Sequence, residues 1–129
     1  MPSNKIELFL SNTLSGKKEK FVPINIEKGV GMYVCGPTVY DRIHVGNART
    51  FITFDILYRT LCLIYGKEKI KYIRNITDID DKINKRAAEK NISIKQLTNE
   101  TIKMFYNDIS YLNILNPTDE PKATEEIES

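Results

Sequence analysis

Two short runs of β-type residues, separated by one long stretch of helical periodicity, limit the architectures open to this chain. In "GVGMYVCG", residues 29–36, Met32, Tyr33, Val34 and Cys35 form an apolar run bounded by glycines. That is the pattern of a parallel strand buried on both faces. From Gly46 to Tyr65, the residues Phe51, Phe54, Ile56, Leu57, Leu61 and Ile64 recur at helical spacing. Gly66 is placed to stop the helix as a left-handed residue after its last turn. "KIKYIRNI", residues 69–76, supplies a second strand rich in β-branched and aromatic residues. Strand, helix and strand in this order form a right-handed crossover between parallel neighbours. The expected fold class is α/β.

The flanks are less constrained. Ile6 to Leu10 and Phe21 to Ile26 enclose the polar "SNTLSGKKEK", as a hairpin or a loose extension would. After the crossover, "DIDDKINKRAAEK" opens a helix with acidic residues at its positive end and basic residues further along. A second helix is expected from Ser93, with Gln96 completing a capping box. It runs through Ile94, Leu97, Ile102, Phe105, Ile109 and Leu112 until "NPTDEP" ends it, and its stripe is core packing. "KATEEIES" reads as the first turn of a further helix. An intact domain rarely ends on an unfinished element, so a fragment is expected. The expected parts are an N-terminal extension over 1–28, the βαβ unit over 29–77 and a helical segment over 78–129.

At 129 residues the chain is one domain's worth. A formal net charge of +2 is too small to declare nucleic-acid binding by bulk electrostatics. "MPSNKIELFL" lacks the basic flank and long apolar run of a signal peptide, and no run is long enough to span a membrane. Two cysteines make no disulfide framework, so a reducing cytoplasm is the expected compartment.

The chemistry concentrates in "CGPTVYDRIHVGNART", Cys35 to Thr50, which holds the only histidine, one of two cysteines and two of six glycines. In an open α/β sheet, ligands bind beyond the carboxyl ends of the strands, where the next helix begins. Cys35 and Gly36 sit at such an end, and His44-Val45-Gly46-Asn47 at the helix start. A helix N-terminus offers free N–H groups and positive potential to phosphate. Gly46 allows close approach of a ligand, His44 and Asn47 can donate to phosphate oxygens, and Thr50 lies one turn further in. "NIT", Asn75 to Thr77, is expected beside the first strand's end. No G-x-G-x-x-G follows the first strand and no Walker A lysine motif occurs, which disfavours a dinucleotide dehydrogenase or a P-loop NTPase. By itself a cysteine at a strand end is more often an inert small hydrophobe, and a histidine before a helix an exposed cap. Cys62 falls in the helical stripe and reads as core.

"GMYVCGPTVYDRIHVGNARTFITFDILYR", "YIRNITDIDDKINKRA" and "LNILNPTDEPKAT" together resemble the start of the bacterial cysteinyl-tRNA synthetases, a class I family. The resemblance runs in register along nearly the whole chain. His44-Val45-Gly46-Asn47 takes the place of the class I "HIGH" signature, with asparagine in the fourth position. Asparagine still donates a hydrogen bond but carries no charge.

The resemblance implies a class I Rossmann-like fold, of which this chain carries the first βαβ half. It implies activation of cysteine with ATP and Mg2+, then transfer of cysteine to tRNA(Cys), by a cytoplasmic enzyme that is monomeric at full length. It makes Cys35 one ligand of a zinc ion that holds the substrate thiolate, a bond unavailable to serine or valine. His44 and Asn47 become the residues that stabilise charge developing on ATP, while Gly36, Thr38, Gly46, Thr50, Asn75 and Thr77 match the adenylate pocket. The family's other three zinc ligands, its "KMSKS" loop and its anticodon-binding region lie further along, so the 129 residues alone are expected to be inactive. "DIDDK" reads as a solvated helix start, with Asp78 or Asp81 as the candidate partner of a substrate ammonium. Two other classes stay open: a related ligase joining cysteine to an amino sugar, and a non-catalytic nucleotide-binding module.

Overall fold

The computed structural model describes residues 6–127. The first five residues of the expected N-terminal extension and the last two of "KATEEIES" lie outside the described residues. Residues 9–20 form an antiparallel hairpin, β1 (Phe9–Asn12) and β2 (Lys17–Lys20), with Phe9 opposite Lys20 and Asn12 opposite Lys17. The strands are displaced from the expected apolar runs: β2 is wholly charged and exposed, and Phe21–Ile26 is no strand. The turn decides the register, because Asn12 accepts from Leu14 N and Gly16 takes a positive φ. Phe21 N–H donates to Leu8 O, and the Phe21 ring meets Tyr65 edge-on at 6.3 Å, which ties the hairpin to the following unit.

That unit is the expected crossover: β3 (Val30–Val34), α1 (Val45–Tyr65) and β4 (Ile70–Arg74), with β3 and β4 parallel and Val34 opposite Arg74. The strand β3 is not buried on both faces. Val30, Met32 and Val34 point inward, while Gly31 and Tyr33 face outward, Tyr33 at 67% exposure. The inward face of α1 likewise differs from the expected stripe. It buries Phe51, Asp55, Tyr58 and Leu61, at spacings of four and three, and leaves Ile56 exposed. Gly66 ends α1 with φ +93° and ψ 137°, so its φ is positive but its ψ is not that of a left-handed helix.

The helices α2 (Asp81–Lys90) and α3 (Ile94–Tyr111) follow, capped by Asp80 and Ser93. Only half of the expected capping box forms. Ser93 accepts from Gln96 N, but the Gln96 amide donates to Glu100 instead, and Ile94 stays largely exposed. Directly after α3 the chain is not helical. "NPTDEP" runs as a strap along the free edge of β4: Thr118 N–H donates to Tyr72 O, Asp119 O accepts from Arg74 N and Pro121 O accepts from Ile76 N. A short helix, α4 (Ala123–Glu126), then begins where the helical turn was expected.

Three apolar clusters hold these parts together. Val30, Met32, Val34, Tyr58, Leu61, Ile70 and Tyr72 join α1 to the sheet, with Cys62 partly buried against them as expected. Val39, Ile76, Ile83, Ala87 and Leu97 join the strand ends to α2 and α3, and Phe51, Phe105, Ile109 and Ile114 join α1 to α3. Each large side chain so buried contributes about 1.5–3 kcal/mol.

Two buried charges cross-link the frame. Asp55 accepts from Arg59 Nε at 2.7 Å and from Leu115 N at 2.9 Å. Arg74, with no exposed surface, donates from Nε to Glu120 at 2.6 Å, and its guanidinium carbon lies 5.7 and 5.1 Å from the centroids of Phe51 and Phe105. Among the described residues no helix is long and apolar enough to cross a membrane.

Candidate phosphate-binding site at the strand ends

The ends of β3 and β4 are clamped together. Gly36 N–H donates to Asn75 Oδ1 at 2.9 Å, and Asn75 Nδ2 donates to Thr77 Oγ1 at 3.3 Å. The ladder then resumes: Thr77 N–H donates to Pro37 O, Val39 N–H donates to Thr77 O, and Thr38 pairs with Thr77. Only glycine fits at position 36, because a Cβ there would lie 1.6 Å from the Asn75 carbonyl oxygen. Asn75 and Thr77 are thus brought beside the first strand's end, with their side chains bonded within the clamp.

The start of α1 is closed by a reciprocal cap. His44 Nδ1 accepts from Gly46 N at 3.0 Å and from Asn47 N at 3.4 Å, while Asn47 Oδ1 accepts from His44 N at 3.2 Å. The expectation of free N–H groups at this terminus is corrected: His44 takes two of them. A neutral imidazole that accepts at Nδ1 carries its proton on Nε2. The cap therefore leaves Nε2–H as the donor of the ring and the Asn47 amide N–H groups outside the box. Gly46 belongs to this cap, with the His44 ring beside its backbone.

Clamp and cap enclose a cavity of about 320 Å³ whose lining includes Cys35, Gly36, Thr38, His44, Asn47 and Thr50. Asn75, Thr77 and Gly46 do not line it. Thr50 Oγ1 donates to Gly46 O at 3.3 Å, so its lone pairs remain to accept. Tyr40, Asp41, Arg42 and Lys82 also line the cavity and were not singled out from the sequence. The first three lie within the quoted Cys35–Thr50 stretch. Lys82 follows Asp81 in the second motif, and its amine stands 5.7 Å from the Tyr40 ring centroid.

The carboxylate that lines this cavity is Asp41; Asp78 and Asp81 do not line it. Asp78 accepts from Thr124 N at 3.0 Å and Thr124 Oγ1 at 2.6 Å and so anchors the start of α4, and Asp81 is exposed on the first turn of α2. Arg42 reaches across to α3 and pairs with both oxygens of Asp108, from Nε at 3.0 Å and from a terminal nitrogen at 2.5 Å. These hydrogen bonds hold the Asp108 carboxyl below the ordinary carboxylate range and push Arg42 up.

The described residues do not fit a zinc centre. Among them no group of three or more His, Cys, Asp and Glu side chains could hold a metal ion. Cys35, Asp41 and His44 line one cavity, but Arg86 holds the Asp41 carboxylate and the cap holds His44 Nδ1. Larger hollows of about 620 and 440 Å³ lie elsewhere. The first is lined by Asp119 and Glu120, which repel phosphate, and the second is mainly apolar, between the hairpin and the end of α1.

Residues 21–129 match the family model described as tRNA synthetases class I (C) catalytic domain. The chain is 61% identical to a cysteine–tRNA ligase of Pelagibacter ubique over 122 residues, 95% of this chain and 27% of that protein. It is 59% identical to a cysteine–tRNA ligase of Orientia tsutsugamushi over 123 residues, 95% of this chain and 26% of that protein. A cysteine–tRNA ligase of Xanthobacter autotrophicus is 55% identical over 122 residues. The chain spans about a quarter of the length of these relatives.

Proposed function

The chain belongs to the class I (C) tRNA synthetase catalytic-domain family, and from that premise we propose that it serves cysteine–tRNA ligation in the cytoplasm. In this reaction a carboxylate oxygen of cysteine attacks the α-phosphorus of ATP, pyrophosphate leaves, and the cysteinyl group passes from the adenylate to tRNA(Cys). The observation that carries the reading is the cap at the start of α1. By accepting two backbone N–H groups at Nδ1, His44, which lines the cavity, is held in one orientation with Nε2–H as its remaining donor. Asn47, held by its oxygen, offers its amide hydrogens from the same turn.

Donors fixed in advance stabilise charge that develops on the phosphates without reorganising at the moment of reaction. Thr38 and Thr50 supply hydroxyl groups to the same cavity. Lys82 adds positive charge to its wall. Cys35 is an exposed thiol of the lining, a single sulfur donor.

The test is cysteine-dependent pyrophosphate exchange by a full-length cysteine–tRNA ligase that contains these residues. His44→Ala removes both cap and donor and is expected to lower the exchange rate about 100- to 1,000-fold, the loss typical of one such donor. His44→Asn restores the cap, because asparagine is a good N-cap residue, but not the Nε2–H. It is expected to melt within a few degrees of the unaltered protein and to exchange as poorly as His44→Ala. Exchange at the unaltered rate in His44→Asn would sink the proposal.

A further inference from the structure

From Tyr40 to Ile43 the chain approaches α1 with no backbone hydrogen bond to a strand or helix among the described residues. Side chains therefore set its course. Asp41 Oδ1 accepts from Arg42 N–H at 2.8 Å. Arg42 then grips both oxygens of Asp108 on α3, from Nε at 3.0 Å and from Nη2 at 2.5 Å. Ile43, the residue before the His44 cap, packs against the cluster that includes Phe105 and Ile109 of the same helix. Asp108 stands three residues after Phe105 and directly before Ile109, so both anchors lie on one side of α3. Arg42 lines the phosphate cavity, whereas Asp108 does not.

We infer that Asp108 is a positioning residue: through Arg42 it fixes the path of the chain into α1, and thereby the placement of His44. The inference rests on the proposed function, in which the His44 ring is the fixed donor to phosphate. Stability is not the main product of this pair. The Arg42 side chain is 65% exposed and that of Asp108 18%, and exposed pairs contribute little to stability. A planar fork on both carboxylate oxygens instead fixes direction as well as distance. Its loss returns conformational freedom to the residues directly before the cap. A catalytic group displaced by about 1 Å costs on the order of 100-fold in rate.

Two measurements test it. The first is pyrophosphate exchange by a full-length cysteine–tRNA ligase that contains these residues. Asp108→Asn is expected to lower kcat about 10- to 100-fold and to leave the KM for ATP nearly unchanged. Arg42→Ala is expected to do the same. The double variant should lose no more than either single one, because the two side chains act as one unit. Losses that multiply in the double variant would reject the inference, as would a raised KM at constant kcat. Unchanged exchange per folded molecule with a lower melting temperature would reject it too, and mark the pair as structural only. The second measurement uses the 129-residue chain, in which His44 is the only histidine. Its ring is labelled with nitrogen-15 and observed at about pH 8.5, where an ordinary imidazole is neutral. One held tautomer gives two widely separated nitrogen signals, and exchanging tautomers draw them together. The unaltered chain is expected to show the wide separation, and both single variants to narrow it. Equal separation in all three rejects the positioning role. Signals that narrow while exchange ignores His44→Asn reject the donor reading alone and support the positioning of the ring.

Discussion

At the scale of single residues, the site depends on one close backbone contact and one ion pair. Gly36 lies in the clamp with the Asn75 carbonyl where a Cβ would have to be. Gly36→Ala is expected to cost about 1–3 kcal/mol or more through overpacking, seen as a lower denaturation midpoint. A melting curve that overlays the unaltered protein would show that the strand ends separate freely. Arg42 and Asp108 tie the cavity wall to α3. Because Asp108 is held below its ordinary range by this pairing, its stabilising effect is present above the unfolded carboxyl value of about 3.9 and is lost as pH falls through the lowered folded value. Arg42→Ala is therefore expected to melt lower than the unaltered protein by a constant margin from pH 5 to 8. The margin closes below about pH 4, so a margin that persists undiminished into strong acid would contradict the pairing.

Among the elements, the strap along β4 matters most and was least visible in the sequence. Its pairing partner lies far upstream, and its proline and acidic residues read as a helix stop. Glu120 also accepts from Tyr106 at 2.6 Å, and burial first, then this hydrogen bond, pushes the Tyr106 hydroxyl up to about 12. Glu120→Gln leaves the Arg74 guanidinium buried without a counter-charge, and a loss of about 3–5 kcal/mol is expected by urea denaturation. Combining it with Arg74→Met should recover much of that loss, since a fitted apolar side chain replaces a buried pair at little cost. If single and double variants unfold at the same urea concentration, the pair is not what holds the strap.

The crossover, by contrast, was legible because β-branched runs and a long apolar period are local signals. Arg74 and Asp55 were not legible as core residues, since each is made tolerable by a partner dozens of positions away. The site was half legible. The strand end and helix start could be placed by rule, whereas the bonds of Asp78 to Thr124 and of Asp41 to Arg86 span dozens of positions and leave no local signal.

For the whole molecule, the sheet is open on one side. Among the described residues β3 pairs only with β4, and its outer face presents Tyr33. An uncovered edge of this kind recruits other strands. Gly31 faces outward with nothing within 4 Å of where a Cβ would stand, so Gly31→Lys adds a charge there without strain. It is expected to lower concentration-dependent self-association in sedimentation velocity while leaving the melting temperature within a few degrees. Unchanged association would place the contact elsewhere on the surface.

The long reach between Arg74 and Glu120, 46 residues, also has a meaning in time. A ribosome adding roughly 5–20 residues per second delivers the arginine about 2–9 s before its counter-charge. During that interval the crossover has its strands and its helix but nothing to neutralise the charge it must bury. Closure of the sheet therefore waits on translation of the strap, and the nascent chain passes through a stage in which its apolar strands are accessible to chaperones.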